Sequence, residues 1–95
     1  MSVEIVSKPR VVNMVATGQF GKKLNLERLY QKLAVEEKRY DPDIYPALLI
    51  KVGKKRYHVT LYSNGKYIIA GVTSKKELAE AYNEVYKTLR SVKAL

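Results

Sequence analysis

The chain has 95 residues, enough for one small domain with a modest core, and no linker, repeat or low-complexity stretch divides it, so residues 1–95 are read as a single domain. It carries 18 Lys and Arg against 9 Asp and Glu, a formal charge of +9, which favours polyanions, although a lysine-rich solvated surface would show the same surplus. The absence of cysteine excludes disulfides, thiolate metal sites and cysteine nucleophiles; no apolar run approaches the roughly 20 residues that span a bilayer, and MSVEIVSKPR lacks a signal-peptide core, so a soluble, intracellular protein is expected.

Residues 10–17 are rich in β-branched side chains and predict a first strand, broken by Gly18, Gly21 and Lys22-Lys23. Asn25 is placed to cap a short helix over 26–34, with Leu26, Leu29, Tyr30 and Leu33 on one face. Residues 37–40 suit a short strand, and Asp41-Pro42-Asp43 is a turn signal. Three strands follow, over 45–52, 56–62 and 67–72. Gly53-Lys54-Lys55 turns the first into the second, and Ser63-Asn64-Gly65-Lys66 makes a hairpin around the Asn-Gly dipeptide. Ser74-Lys75-Lys76-Glu77 is a capping box that opens the clearest helix, with Leu78, Ala81, Tyr82, Val85, Leu89 and Val92 at helical spacing. This order predicts an α+β fold, an antiparallel sheet with both helices on one face.

Strand alternation divides the sheet. Val12, Met14, Ala16, Val59, Leu61, Tyr67 and Ile69 form apolar sets that suit the helices. The opposite sets hold Asn13, Val15, Thr17, His58, Thr60, Tyr62, Ile68 and Ala70, with Leu49; Lys51, Arg56 and His58 lie toward the edges. A fully solvated face would be charged, and this one is half apolar. Two explanations stand: a ligand-binding surface, or burial against another copy or domain. Apolar groups with one amide fit the minor groove, where A·T pairs present only acceptors and no guanine amino group intrudes.

Catalytic constellations are not expected. His58 is the single histidine and has no ligand-spaced partner, so a strand-surface or phosphate-contacting role is expected rather than metal binding. Asp41 and Asp43 flank a proline in a turn, Ser63 has no evident base, and Gly18-x-x-Gly21-Lys22 lacks the spacing of a phosphate-binding loop. The expectation is a protein that is not an enzyme and needs no cofactor.

Asn13-Met14-Val15-Ala16-Thr17, the hairpin Tyr62-Ser63-Asn64-Gly65-Lys66 with Ile68-Ile69-Ala70-Gly71, and the stretch YDPDIYPALLIKV together resemble one repeat of the TATA-box-binding protein family. The resemblance covers roughly residues 9–92. It implies a curved antiparallel sheet forming half of a saddle. It also implies contacts to A·T-rich duplex DNA from Asn13 to base edges, from Val15, Leu49, Thr60 and Ile68 to the groove floor, and from Lys51 and Lys66 to phosphates. Thr17, His58 and Ala70 share this face and complete the set. Tyr45 and Tyr62 stand where the family often has two Phe wedges that kink the duplex, and Ala70 stands where it has Thr. Phe20 is expected to pack locally.

The family carries two such repeats and this chain one, so the resemblance implies a homodimer paired through residues 11–17. It implies a role in transcription initiation or regulation, with initiation factors as partners, no membrane, a cytoplasmic and nucleoid-associated location, and an origin in archaea or a virus of archaea. Two other readings stay open. One is a protein-interaction module of the transcription machinery that does not grip DNA. The other is an accessory substrate-binding domain of a nucleic-acid enzyme.

Overall fold

Alternating burial along the strands builds the sheet, and the computed structural model describes it for residues 14–95. In chain order the elements are β1 (Met14–Gln19), α1 (Leu26–Lys32), β2 (Lys38–Tyr40), β3 (Leu48–Val52), β4 (Tyr57–Leu61), β5 (Lys66–Val72) and α2 (Lys75–Ser91). The strands form one open sheet in the order β1-β5-β4-β3-β2, and every pairing is antiparallel. Ile50 and Val52 of β3, Tyr57, Val59 and Leu61 of β4, and Ile69 and Val72 of β5 are buried. They share one core with Leu26 and Leu29 of α1 and Ala81, Val85 and Leu89 of α2, so both helices cover the same face. Burying each Val, Leu or Ile side chain among them contributes about 1.5–3 kcal/mol.

The caps follow from the sequence, with one departure. Arg28 N–H donates to Asn25 Oδ1 (3.1 Å) at the start of α1. Glu77 N–H donates to Ser74 Oγ (3.1 Å) at the start of α2. The Glu77 carboxylate does not turn back to Ser74, as a capping box predicts. It accepts from Thr73 N–H (2.9 Å) and the Thr73 hydroxyl (2.8 Å), one residue earlier, and from Lys55 Nζ (2.7 Å).

Several boundaries differ from the sequence expectation for identifiable reasons. Gly18 does not break β1, which runs on to Gln19. Tyr67 of β5 lies across Gly18, and a Cβ there would fall on its ring tip. The strand can stay straight beneath that ring only because position 18 has no side chain. Tyr67 packs in turn against Phe20 (centroids 4.5 Å apart) and Tyr82 (5.8 Å) with tilted rings, so Phe20 packs on the helix side.

The strand expected over 45–52 begins only at Leu48. Asp41 C=O accepts from both Ile44 N–H and Tyr45 N–H (2.9 Å each), which holds Tyr45 in the turn. The strand expected from Arg56 begins at Tyr57, because Arg56 closes the preceding turn at φ +55°. The α1 helix stops at Lys32, since Leu33 is extended with ψ 132°.

A bulge in β5 was not expected at all. Val15 pairs with Ala70 and Met14 with Val72, so Gly71 is the extra residue, at φ +88°. That φ suits glycine and strains other residues. The bulge shifts the strand by one position, which turns Val72 inward to join Ile69 in the core while Ala70 stays on the open face.

Candidate nucleic-acid interface

Pairing register aligns the expected contact residues into two rows across the open face. One runs Thr17, Ile68, Thr60, Leu49, Arg39, from β1 to β2. The other runs Val15, Ala70, His58, Lys51. Val15 is 65% exposed and Leu49 36%, so large apolar groups stand open on this face. Asn13, the expected amide contact, lies outside the described residues, as does Val12.

Charge is unevenly spread over this face. The β1–β5 side presents Val15, Thr17, Ile68 and Ala70, all neutral. Cations gather at the far edge, with Arg39 on β2 and Lys51 on β3, and at the hairpin end, with Lys66 on β5. A trough of about 560 Å³ over β2–β4 is lined by Glu37, Arg39, Leu49, Lys51, His58 and Thr60 among others.

The far-edge cations already have internal partners. Arg39 Nε meets Asp41 at 3.1 Å, and Lys51 Nζ meets Glu37 at 3.5 Å. Glu37 also accepts from Arg56 at 2.6 Å, and Arg56 reaches Glu36 at 3.3 Å. Desolvation pushes the Glu37 carboxyl up, but the Arg56 hydrogen bond and the Lys51 charge outweigh it and hold the group below the ordinary carboxylate range. Lys66 has no carboxylate partner among the described residues and lies 5.8 Å from the centre of the Tyr62 ring.

Tyr45 and Tyr62 come together at the hairpin end of the face. Their hydroxyls hydrogen-bond to each other (2.5 Å), with rings 6.2 Å apart and inclined at 68°. Tyr45 raises the Tyr62 phenol above its ordinary value, chiefly through this hydrogen bond and further by desolvation. One hydroxyl donates to the other, which lowers the cost of placing the pair in an apolar setting but leaves the accepting tyrosine's O–H to be desolvated. Ile44, beside Tyr45, is 74% exposed and extends the apolar patch. Sequence reasoning missed it; an isoleucine directly after a turn signal was the available clue.

Thus the face collects Val15, Thr17, Leu49, Lys51, His58, Thr60, Ile68 and Ala70 on the sheet, and Tyr45, Tyr62 and Lys66 at one end. The family model described as "Transcription factor TFIID (or TATA-binding protein, TBP)" matches residues 8–92. The TATA-box-binding protein of Pyrobaculum islandicum is 35% identical over 81 residues, which is 85% of this chain and 40% of that protein. The one from Pyrodictium occultum is 30% identical over 95 residues, 98% of this chain and 47% of that protein. Among solved structures, the Methanococcus jannaschii TBP matches with a TM-score of 0.74 at 29% identity, over 83% of this chain and 44% of that one. The chain therefore spans less than half the length of each of these relatives.

Proposed function

The chain belongs to the TATA-box-binding protein family, and from that premise we propose that it is a DNA-binding transcription factor that lays its open sheet face in the minor groove of A·T-rich duplex DNA. The observation that carries this reading is the row Thr17–Ile68–Thr60–Leu49, neutral and partly apolar, with cations at its outer end and at the hairpin. Apolar contact suits the groove floor, and Lys51 and Lys66 suit the phosphates that border it. The Tyr45–Tyr62 pair is offered as the wedge, one of its hydroxyls donating to the other.

Binding is proposed to be homodimeric. β1 pairs with β5 on one side and with no other strand among the described residues on the other. Beside it an apolar groove of about 650 Å³ runs between β1 and α2, lined in part by Ala16, Ile69, Leu78 and Tyr82. A second copy related by a two-fold axis would pair the edges, fill both grooves and double the half-length unit. The role is non-enzymatic, in transcription initiation or its regulation, with initiation factors as further partners, in an archaeal, nucleoid-associated setting.

A protein-interaction role without a grip on DNA is the second reading. It is favoured by the ion pairs Arg39–Asp41 and Lys51–Glu37, which neutralise part of the far edge. Fluorescence anisotropy with A·T-rich and G·C-rich duplexes over a salt series separates the two. Tighter A·T binding that weakens steeply with salt is expected, with Lys51→Ala lowering the salt slope by about one and Asn13→Ala eroding the A·T preference. Equal, weak binding to both duplexes would favour the protein partner. A monomer in analytical ultracentrifugation, with and without DNA, would remove the dimer.

A further inference from the structure

We propose that the basic cavity between α1 and the C-terminal end of α2 is a docking site for an acidic segment of a protein partner. The cavity measures about 230 Å³, and five of its lining residues are the cations Lys22, Lys23, Arg28, Lys32 and Lys93. Among the described residues no Asp or Glu lines it. None of these five meets a carboxylate among the described residues, a condition they share with Lys66 and other scattered cations; what sets them apart is that they line one cavity together. Five cations around one cavity, with no counter-charge among the described residues, favour an anion supplied from outside.

Three separate segments assemble this cavity. Leu24 N–H donates to Ser63 C=O (2.8 Å) and pins the Lys22-Lys23 loop to the β4–β5 hairpin. Helical spacing puts Arg28 and Lys32 one turn apart on one face of α1. The end of α2 folds back, with Ala94 N–H donating to Leu89 C=O and Lys93 N–H to Arg90 C=O (2.9 Å each). This double bond pattern usually places glycine at the left-handed position, and here Lys93 occupies it at φ +60°. Arg90 already supplies a cation to the last turn of the helix, so the helix dipole does not require a second one at the strained position.

Leu29 and Val92 give the cavity apolar walls between the cations. An acidic side chain next to an aliphatic one would satisfy both. The volume is below the roughly 300–1,000 Å³ of small-molecule sites, so it admits one or two side chains rather than a cofactor. A rigid duplex does not enter such a recess, and the cavity lies among the helices, off the open sheet face.

The test is titration of the full chain with a fluorescein-labelled peptide alternating Glu or Asp with Leu, against the same peptide carrying Gln and Asn. The acidic peptide should bind about tenfold or more tightly than its amide counterpart, with backbone amide NMR shifts centred on Lys22, Arg28 and Lys93. Arg28→Glu with Lys32→Glu should weaken the peptide by about tenfold or more and leave duplex affinity within about twofold. Lys93→Gly relieves the backbone, so it should fold at least as well as the parent and still lose about twofold in peptide affinity. The proposal is overturned if the acidic peptide does not bind, if the variants bind it as the parent does, or if duplex binding falls in step with peptide binding, which would give the cavity to nucleic acid. The peptide is titrated without DNA, so the result is independent of the minor-groove reading.

Discussion

Glu37→Gln should strengthen DNA binding, and the size of the gain follows from the ion pairs at the far sheet edge. Lys51 Nζ lies 3.5 Å from Glu37, with the two side chains 35% and 44% exposed. An exposed pair of this kind is weak, and Lys51 must surrender it to reach a phosphate. Removing the carboxylate should therefore tighten duplex binding by about 1.4- to 5-fold. It should also steepen the salt dependence by up to about 0.9 in log–log slope as Lys51 engages fully. Loss of a negative charge near DNA would itself help, and Glu36→Gln controls for that. Glu36 is the neighbouring residue, meets only Arg56 among the described residues, and has a side chain 86% exposed. Anisotropy over a salt series, with Lys51→Ala combined with each variant, reads the coupling. If Glu36→Gln matched Glu37→Gln, or the gain survived in Lys51→Ala, then Lys51 would not be a phosphate contact restrained by Glu37.

Gly18→Ala should cost about 1–3 kcal/mol, because its methyl collides with the Tyr67 ring that packs against Phe20 and Tyr82. In a Tyr67→Leu background the same change should cost far less; urea unfolding at one fixed protein concentration measures both, and equal costs would acquit the ring. Glu77 is held at about 2 by its hydrogen bonds to Lys55 and then Thr73, against an ordinary 4.5. A depressed carboxylate stabilises the fold fully above the unfolded value, so this contribution should fade as pH falls from about 4.5 to about 2 and be absent in Glu77→Gln, as read from urea midpoints against pH. Converting both Tyr45 and Tyr62 to Phe removes two hydroxyls that wedge insertion must desolvate, so energy transfer across an end-labelled A·T duplex should report a larger bend.

The sheet faces were legible in the sequence because burial repeats every second residue. Val59 and Leu61 alternate with His58 and Thr60, and this local period is independent of what the strand pairs with. What escaped depends on distant residues. Gly18 looked like a strand breaker until Tyr67, 49 positions away by numbering, was seen to cover it. Gly71 lay inside the strand expected over 67–72 with nothing local to mark it, whereas the pairing of β5 with β1 makes it a bulge that keeps Val72 in the core. The hydroxyl bond between Tyr45 and Tyr62 and the five-cation cavity also join segments far apart in the chain. No window of sequence reports those distances.

The charge distribution bears on why a half-length unit should pair with itself. On one copy the neutral side of the open face lies at β1 and β5, and the Arg39 and Lys51 cations lie only at the opposite edge. A minor groove has phosphates along both margins and base edges between them. Apart from Lys66 at the hairpin end of β5, one copy therefore offers a groove-like floor with a cationic flank on one side. Two-fold pairing through β1 joins the neutral sides at the centre and sends a cationic edge to each margin, an arrangement that neither a head-to-tail contact nor a lone copy produces. If the dimer forms through that edge, Val15→Glu should break it, by placing two like charges close to the axis. Duplex affinity should then fall together with the dimer, whereas Lys51→Ala should lower affinity with the dimer intact. Loss of affinity in Val15→Glu with an unchanged sedimentation coefficient would place Val15 in the groove but not at the axis, and the self-pairing argument would fail.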